Sequence, residues 1–347
     1  MSSTYPSSTA PLEPGQRLGR YEVRRLVGRG SVTATYRAFS PELQADVALK
    51  VISHRFLSQA DAAASQHRFH QELQAAASLY HPNIARIFDY GVAENVYYVA
   101  MELIDGPSLR DLLSESRRGL PQDQALQIFR QVADAVGYAH SRGVIHQDIR
   151  PGNVLMAGGI RPVVVDFGLI RVLGDDEMTT AQFSPRAPIY MSPEQASGQE
   201  VTPSADVYSL GVLLYEMVTG DVPFKGSSAA RIMVRHIQEA PRPPSHLAVG
   251  LDPRVEAVIM QALAKDPAER PASPRSMIEA LEREINAEDF ETITLPKDEV
   301  REFQQRARAA QDAAQGAAQG AEDEQEPGGL GGFFRKITRR LKPPDES

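Results

Sequence analysis

The chain contains no cysteine, so disulfide staples, Cys-ligated zinc and thiol chemistry are all excluded. Long apolar runs are missing too. No segment reaches the ~18 to 20 residues that a membrane span needs. The longest, 207–218, is interrupted by Glu216 and is expected to be a buried helix. Positive charge is in deficit: Lys+Arg 37 against Asp+Glu 45 gives −8, which argues against non-specific coating of nucleic acid. Residues 1–15 are rich in Ser, Thr and Pro and lack an apolar centre, so they do not read as a secretory signal. A cytoplasmic protein is expected. No internal repeat at a fixed period is visible.

What is present suits a sizeable core. Hydrophobic residues make up 42% and charged residues 24% of 347, ordinary values for a globular chain. At about 150 residues per domain there is room for one large two-lobed unit plus tails. Residues 1–16 offer too little apolar surface to offset ordering entropy and are expected to form a disordered leader. Runs at 21–27 and 33–39 alternate around a glycine turn, which predicts a hairpin. The β-branched and aromatic runs 47–52 and 96–103 have strand length. The period then changes: Ala125, Ile128, Phe129, Val132 and Val136 recur at helical spacing, predicting an amphipathic helix of about four turns. Strand-rich sequence followed by helix-rich sequence predicts an α+β arrangement of two lobes.

Four segments suggest chemistry. Gly28-Arg29-Gly30 lies between two predicted strands, where glycine lets backbone N–H groups approach a phosphate closely; alone, such a turn is an ordinary hairpin. Lys50 ends the apolar strand Val47-Ala48-Leu49. If it faces a core it needs an anionic partner, for which Glu72 on the helical run 60–79 is a candidate; the alternative is a surface lysine. Then come His146-Gln147-Asp148-Ile149-Arg150-Pro151-Gly152-Asn153 and, eighteen residues after Asp148, Asp166-Phe167-Gly168 behind the apolar strand 163–165. Two carboxylates and an amide on loops flanking a short hairpin can converge on one or two Mg²⁺, with phosphate supplying the other hard oxygens.

In this order and spacing the sequence resembles the eukaryotic-type Ser/Thr protein kinases, particularly their bacterial branch. Further segments resemble that pattern: His81-Pro82-Asn83-Ile84, Met101-Glu102-Leu103-Ile104, Ser192-Pro193-Glu194, Asp206-Val-Tyr-Ser-Leu-Gly211 and Asp266-Pro-Ala-Glu-Arg270-Pro. The likeness runs from about residue 21 to 285, and the kinase domain is drawn at 17–285. It implies a two-lobed kinase fold with ATP and Mg²⁺ in the cleft and a protein substrate. By resemblance, Gly28 and Gly30 cover the phosphates, and Lys50, positioned by Glu72, holds the α- and β-phosphates. Glu102 and Ile104 offer backbone groups to adenine, with Met101 gating the pocket behind. Asp148 accepts the substrate proton, and Asn153 and Asp166 bind Mg²⁺. Glu194 with Arg270, and Asp206 with loop backbone, are architectural.

The surroundings depart from the family pattern. Thr33 stands at the third glycine position and Thr35 at the following valine. Gln147 replaces the arginine that reads a phosphate on the activation segment. Arg150 replaces the catalytic-loop lysine, and its planar fork lacks the lysine's point-like geometry. Ala187 replaces the threonine that bonds the catalytic aspartate. Losing one hydrogen bond to a charged group costs about 1.5–3 kcal/mol, or roughly 10- to 100-fold in rate. A pseudokinase scaffold that binds nucleotide is therefore the alternative to a Ser/Thr kinase of low activity. Thr179, Thr180 and Ser184 are candidate phosphorylation sites. Asp175, Asp176 and Glu177 beside them, and the missing charge at position 147, predict that activity does not depend on phosphorylating them.

Beyond the domain, 286–332 reads as an Ala/Gln/Gly/Glu-rich linker with a helix expected over 298–314. In 333–342, Phe333, Phe334, Ile337 and Leu341 share one helical stripe, and Arg335, Lys336, Arg339, Arg340 and Lys342 fill much of the rest. Such a helix suits an anionic membrane surface, with peripheral localisation, or an acidic partner; the alternative is a disordered solubilising end. Residues 343–347 are expected to be disordered.

Overall fold

The computed structural model describes residues 12–30, 33–53, 62–94, 96–116, 118–169 and 187–282. The expectations for the leader before residue 12, for Thr179, Thr180 and Ser184, and for everything after residue 282 lie outside the described residues, as does the side chain of Ala187.

The first lobe is a six-stranded antiparallel sheet in the order β1-β2-β3-β4-β6-β5, with one helix. Its strands are β1 (Arg17–Leu18), β2 (Tyr21–Arg29), β3 (Thr33–Ser40), β4 (Ala45–Ser53), β5 (Ile87–Ala93) and β6 (Val96–Glu102), and the helix is α1 (Ala62–Ala77). Alternation sets which face is buried: Tyr36, Ala38, Val47 and Leu49 pack with Leu18, Tyr21, Val23 and Ala100. The sheet curls until its two edges meet. Asp89, on edge strand β5 at a break in its register with β6, accepts hydrogen bonds from the hydroxyls of Tyr21 (2.8 Å) and Tyr98 (3.0 Å). Arg20 reaches the same carboxylate at 2.8 Å.

The second lobe is helical. It holds α2 (Leu109–Glu115), α3 (Gln122–Ser141), the hairpin β7 (Val154–Ala157) and β8 (Arg161–Val164), α4 (Pro193–Ala196), α5 (Pro203–Thr219), α6 (Ala229–Gln238), α7 (Pro253–Ala262) and α8 (Pro274–Glu282). Helix α5 is the buried helix expected from the 207–218 run; it is buried on every side from Ala205 to Tyr215, as a helix at the centre of a large core must be. Gly211 lets α7 approach closely, since a Cβ there would lie 2.7 Å from Ala262 Cβ. Ala76, Leu79 and Ile84 of the first lobe belong to the same apolar core as α3 and α5, so one core joins the lobes. The α+β, two-lobed expectation holds. No helix among the described residues is long and apolar enough to cross a membrane.

Candidate active site

The loop that carries Asp148 is held from beneath by a carboxylate. Asp206, in the first turn of α5, is fully buried; it accepts the backbone N–H of His146 and of Gln147, each at 2.8 Å, and faces His140 Nε2 at 2.8 Å. Burial alone would raise its pKa, but His140 and the neighbouring donors outweigh this and hold the carboxyl below the usual carboxylate range. These bonds brace an uncommon backbone at Gln147, with φ +67°; Asp166 is left-handed too, with φ +72°. Left-handed conformations at non-glycine residues cost about 1–3 kcal/mol each and persist only where surrounding bonds over-determine them. Gln195 adds one, donating from Nε2 to the Gln147 carbonyl at 2.9 Å.

Above this support the predicted site residues come together. Asp148 Oδ2 receives Arg150 Nε at 2.8 Å and Asn153 Nδ2 at 2.7 Å, and Asn153 Nδ2 also reaches the Asp148 carbonyl at 2.9 Å. Burial tends to lower the Arg150 pKa, yet the adjacent Asp148 carboxylate raises it overall. Val165 N–H donates to the Asn153 carbonyl at 3.0 Å, tying the loop bearing Asp148 to the one bearing Asp166. His146 completes the tie: its ring nitrogen meets the Val165 carbonyl at 2.9 Å, and its ring packs edge-on to Phe167 at 4.5 Å.

From the other lobe, Lys50 on β4 reaches Asp166 Oδ2 at 2.5 Å, both side chains being about 15% exposed. The ammonium's ion pair is thus with Asp166. Glu72 is half-buried on α1, and its carbonyl would lie 3.2 Å from a Cβ added to Gly168, so α1 packs directly on the Asp166 loop. Gly28 lies near the end of β2 and Gly30 in the β2–β3 connection, which is closed by a bond from Gly30 N–H to the Thr33 carbonyl at 2.7 Å. A Cβ on Gly30 would stand 2.9 Å from Thr33 Oγ1, so the threonine crowds this turn. Met101 is buried and lines a cavity with Ala76, Ile84, Val99, Phe167 and Leu169. Glu102 N–H bonds the Arg86 carbonyl at 2.8 Å, whereas neither backbone group of Ile104 has a partner among the described residues.

The helical lobe adds a second buried anchor, expected from the sequence: Arg270 grips Glu194 with two bonds of 2.7 and 2.8 Å, its side chain 0% and that of Glu194 5% exposed.

Comparison with known proteins agrees with this geometry. A family model described as protein kinase domain matches residues 21–283. The chain belongs to the protein kinase family. It is 38% identical over 264 residues to a probable serine/threonine-protein kinase of Streptomyces coelicolor, covering 74% of this chain and 38% of that protein. It is 35% identical over 284 residues to the serine/threonine-protein kinase PknB of Mycobacterium tuberculosis, covering 79% and 44%. A crystal structure of the Mycobacterium tuberculosis PknI kinase domain superposes with a TM-score of 0.65 at 29% identity, covering 78% of this chain and 98% of that one. The chain thus spans about two fifths of the length of the curated relatives it matches.

Sequence reasoning missed three participants in this kinase domain. Gln195 was findable: Ser192 and Gln195 have the spacing of a helix capping box, and the structure forms it. His140 sits in the last turn of α3, where no local pattern announces a partner in α5. Arg110, beside the catalytic loop, has no sequence signal at all.

Proposed function

We propose that the chain transfers the γ-phosphate of ATP to a serine or threonine hydroxyl of a protein substrate, using the domain 17–285. The convergence of Lys50, Asp148, Asn153 and Asp166 supports this reading. The donor set fits a divalent cation: Asn153 Oδ1 and Asp166 Oδ1 are hard oxygens that receive no donor among the described residues. Asn153 and Asp166 would hold Mg²⁺, which when bound neutralises charge on the phosphates. Lys50 would take the α- and β-phosphates, positioned by Glu72 of α1, and Gly28 and Gly30 would cover them. Met101, Glu102 and Ile104 would form the adenine end, where the unpartnered backbone groups of Ile104 suit the edge of a heterocycle.

Asp148 is the proton acceptor in this reading. Its Oδ2 is occupied by Arg150 and Asn153, so Oδ1 remains to orient the substrate hydroxyl and take its proton as the oxygen attacks phosphorus. Arg150 carries positive charge to the same place. The test is radiolabelled transfer by the full chain against Asp148→Asn. A loss of about 10²- to 10⁴-fold with nucleotide binding retained is expected. Nucleotide binding without transfer by the wild type would overturn the enzymatic reading in favour of a scaffold.

Two finer points rest on sequence pattern. Transfer is proposed to be independent of Thr179 and Thr180, and loss of activity on changing both to Ala would refute that. The basic stripe of 333–342 is proposed to dock on an anionic membrane surface or acidic partner. Equal vesicle co-sedimentation of the full chain and one ending at Gly332 would exclude the membrane.

A further inference from the structure

One guanidinium beside the catalytic loop has no partner among the described residues. Arg110, in the first turn of α2, is half-buried and makes no hydrogen bond or ion pair with any of them. It lies over Gly152, between the proposed base Asp148 and the proposed metal ligand Asn153. A Cβ at Gly152 would stand 2.6 Å from Arg110 Nη2 and 3.3 Å from Arg150 Nη1, so both guanidinium nitrogens lie within 3.3 Å of one point. The two nitrogens therefore lie within about 6 Å of each other, and like charges at that range favour an anion beside them.

The neighbouring acids are already engaged. Asp148 holds Arg150 through Nε, leaving Arg150 Nη1 directed elsewhere. Glu216 accepts the Tyr190 hydroxyl at 2.7 Å. Asp111 is tied into the cap of α2 through the Ser108 N–H and hydroxyl. Position 152 has no side chain to intervene. Two guanidinium groups brought this near each other beside a residue with no side chain are suited to share the paired oxygens of a carboxylate or phosphate.

We propose that Arg110 and Arg150 form an anion subsite across Gly152 that receives an acidic side chain of the protein substrate close to the acceptor hydroxyl. This rests on the transfer reading above and adds a substrate class to it: acceptor sites flanked by Asp, Glu or an already phosphorylated residue.

The test compares kcat/KM for peptides of equal length carrying one acceptor threonine flanked by Glu, Lys or phosphoserine, using the full-length wild type, Arg110→Gln and Arg110→Glu. Because each protein supplies its own Glu-to-Lys ratio, a change in the folded fraction cancels. One charge-assisted bond corresponds to about tenfold or more, so the wild type should favour Glu over Lys by at least that factor. The preference should shrink in Arg110→Gln and reverse in Arg110→Glu. The rank of phosphoserine against Glu identifies the source of the anion. An equal ratio in all three proteins overturns the proposal. So does a raised KM for ATP in Arg110→Glu with the peptide ratio unchanged, because the anion is then the nucleotide's own phosphate. Failure of the wild type to phosphorylate any peptide is failure of the transfer reading. The subsite is then decided by fluorescence anisotropy of the labelled Glu and Lys peptides on the chain loaded with a non-hydrolysable ATP analogue. Tighter binding of Glu peptide that is lost in Arg110→Glu supports the subsite, and equal binding overturns it.

Discussion

Each lobe gathers several donors onto one aspartate, and the two aspartates do different work. Asp89 in the first lobe takes only side-chain donors, Tyr21, Tyr98 and Arg20, and is itself 19% exposed. It joins the edges of a curled sheet. Asp206 in the second lobe is fully buried and takes two backbone N–H groups and a histidine. Of the side-chain donors, Arg20 and Tyr98 reach the surface and can turn to water when the contact loosens, whereas backbone donors fix the course of the chain, including the strained Gln147. One carboxylate closes a surface; the other sets where Asp148 stands.

The largest effect expected is at the second anchor of the helical lobe. Arg270→Met removes the bidentate partner of Glu194 and leaves an uncompensated buried carboxylate, which costs about 3–5 kcal/mol. Chemical denaturation of the full chain measures it; a loss below about 1 kcal/mol would mean that buried charge is not what anchors this lobe. Asp206→Asn comes next. It keeps the shape but replaces one acceptor oxygen with a donor facing another donor, at a cost of about 2–4 kcal/mol for groups left unpaired in a dry site. Transfer should fall more than nucleotide affinity, because the catalytic loop loses its support while Lys50 does not.

How much of this was legible follows from where the information lies. The residues proposed to handle phosphate and metal occur in short contiguous segments, so Lys50, Asp148, Asn153 and Asp166 stand out in the amino-acid sequence itself. Helix α5 was legible because apolar residues fall on all its sides, interrupted only by a few polar ones such as Ser209 and Glu216. The apolar stripe of α3 marked a helix but not its length: the helix runs from Gln122 to Ser141, beyond the Ala125–Val136 stripe, because polar residues at both ends continue the backbone bonding. Strand β5 gave no clear signal, since Asp89 and Gly91 interrupt its alternation, and Asp89 is the residue that closes the sheet. Arg110 was illegible because its importance lies in the absence of a partner among the described residues and in the bare Gly152 beneath it. Both are facts of three-dimensional neighbourhood.

A third effect is confined to the helical lobe and depends on pH. His236 on α6 is fully buried; its Nδ1 meets the Tyr208 hydroxyl at 2.8 Å, and Phe224 packs on its ring at 4.8 Å. Burial, and then the charge of Lys265, lower its pKa from 6.5 to about 3. The unfolded chain therefore takes up a proton near pH 6.5 that the folded chain refuses until about pH 3. Stability is complete above pH 6.5 and declines below it, by at most about 1.4 kcal/mol per pH unit from this group. Urea midpoints between about pH 4.5 and 7 should show that His236→Gln weakens the slope. An unchanged slope would place the acid sensitivity in other groups.

The smallest effect is the one that tests the comparison most directly, because it repeats at Asp89 the substitution made at Asp206. Asp89→Asn retains an oxygen for the buried Tyr21 hydroxyl, and Tyr98 and Arg20 lie near enough to the surface to bond water instead. Its Arg20 contact is a partly exposed ion pair, a class worth about 0–1 kcal/mol. The total loss should be about 1 kcal/mol, with kcat essentially unaltered because no bond of Asp89 reaches the catalytic loop. If Asp89→Asn instead destabilised the chain as much as Asp206→Asn, or lowered kcat, closing the sheet would be as decisive for the position of Lys50 as Asp206 is for Asp148. The two aspartates would then be equivalent anchors of a single machine.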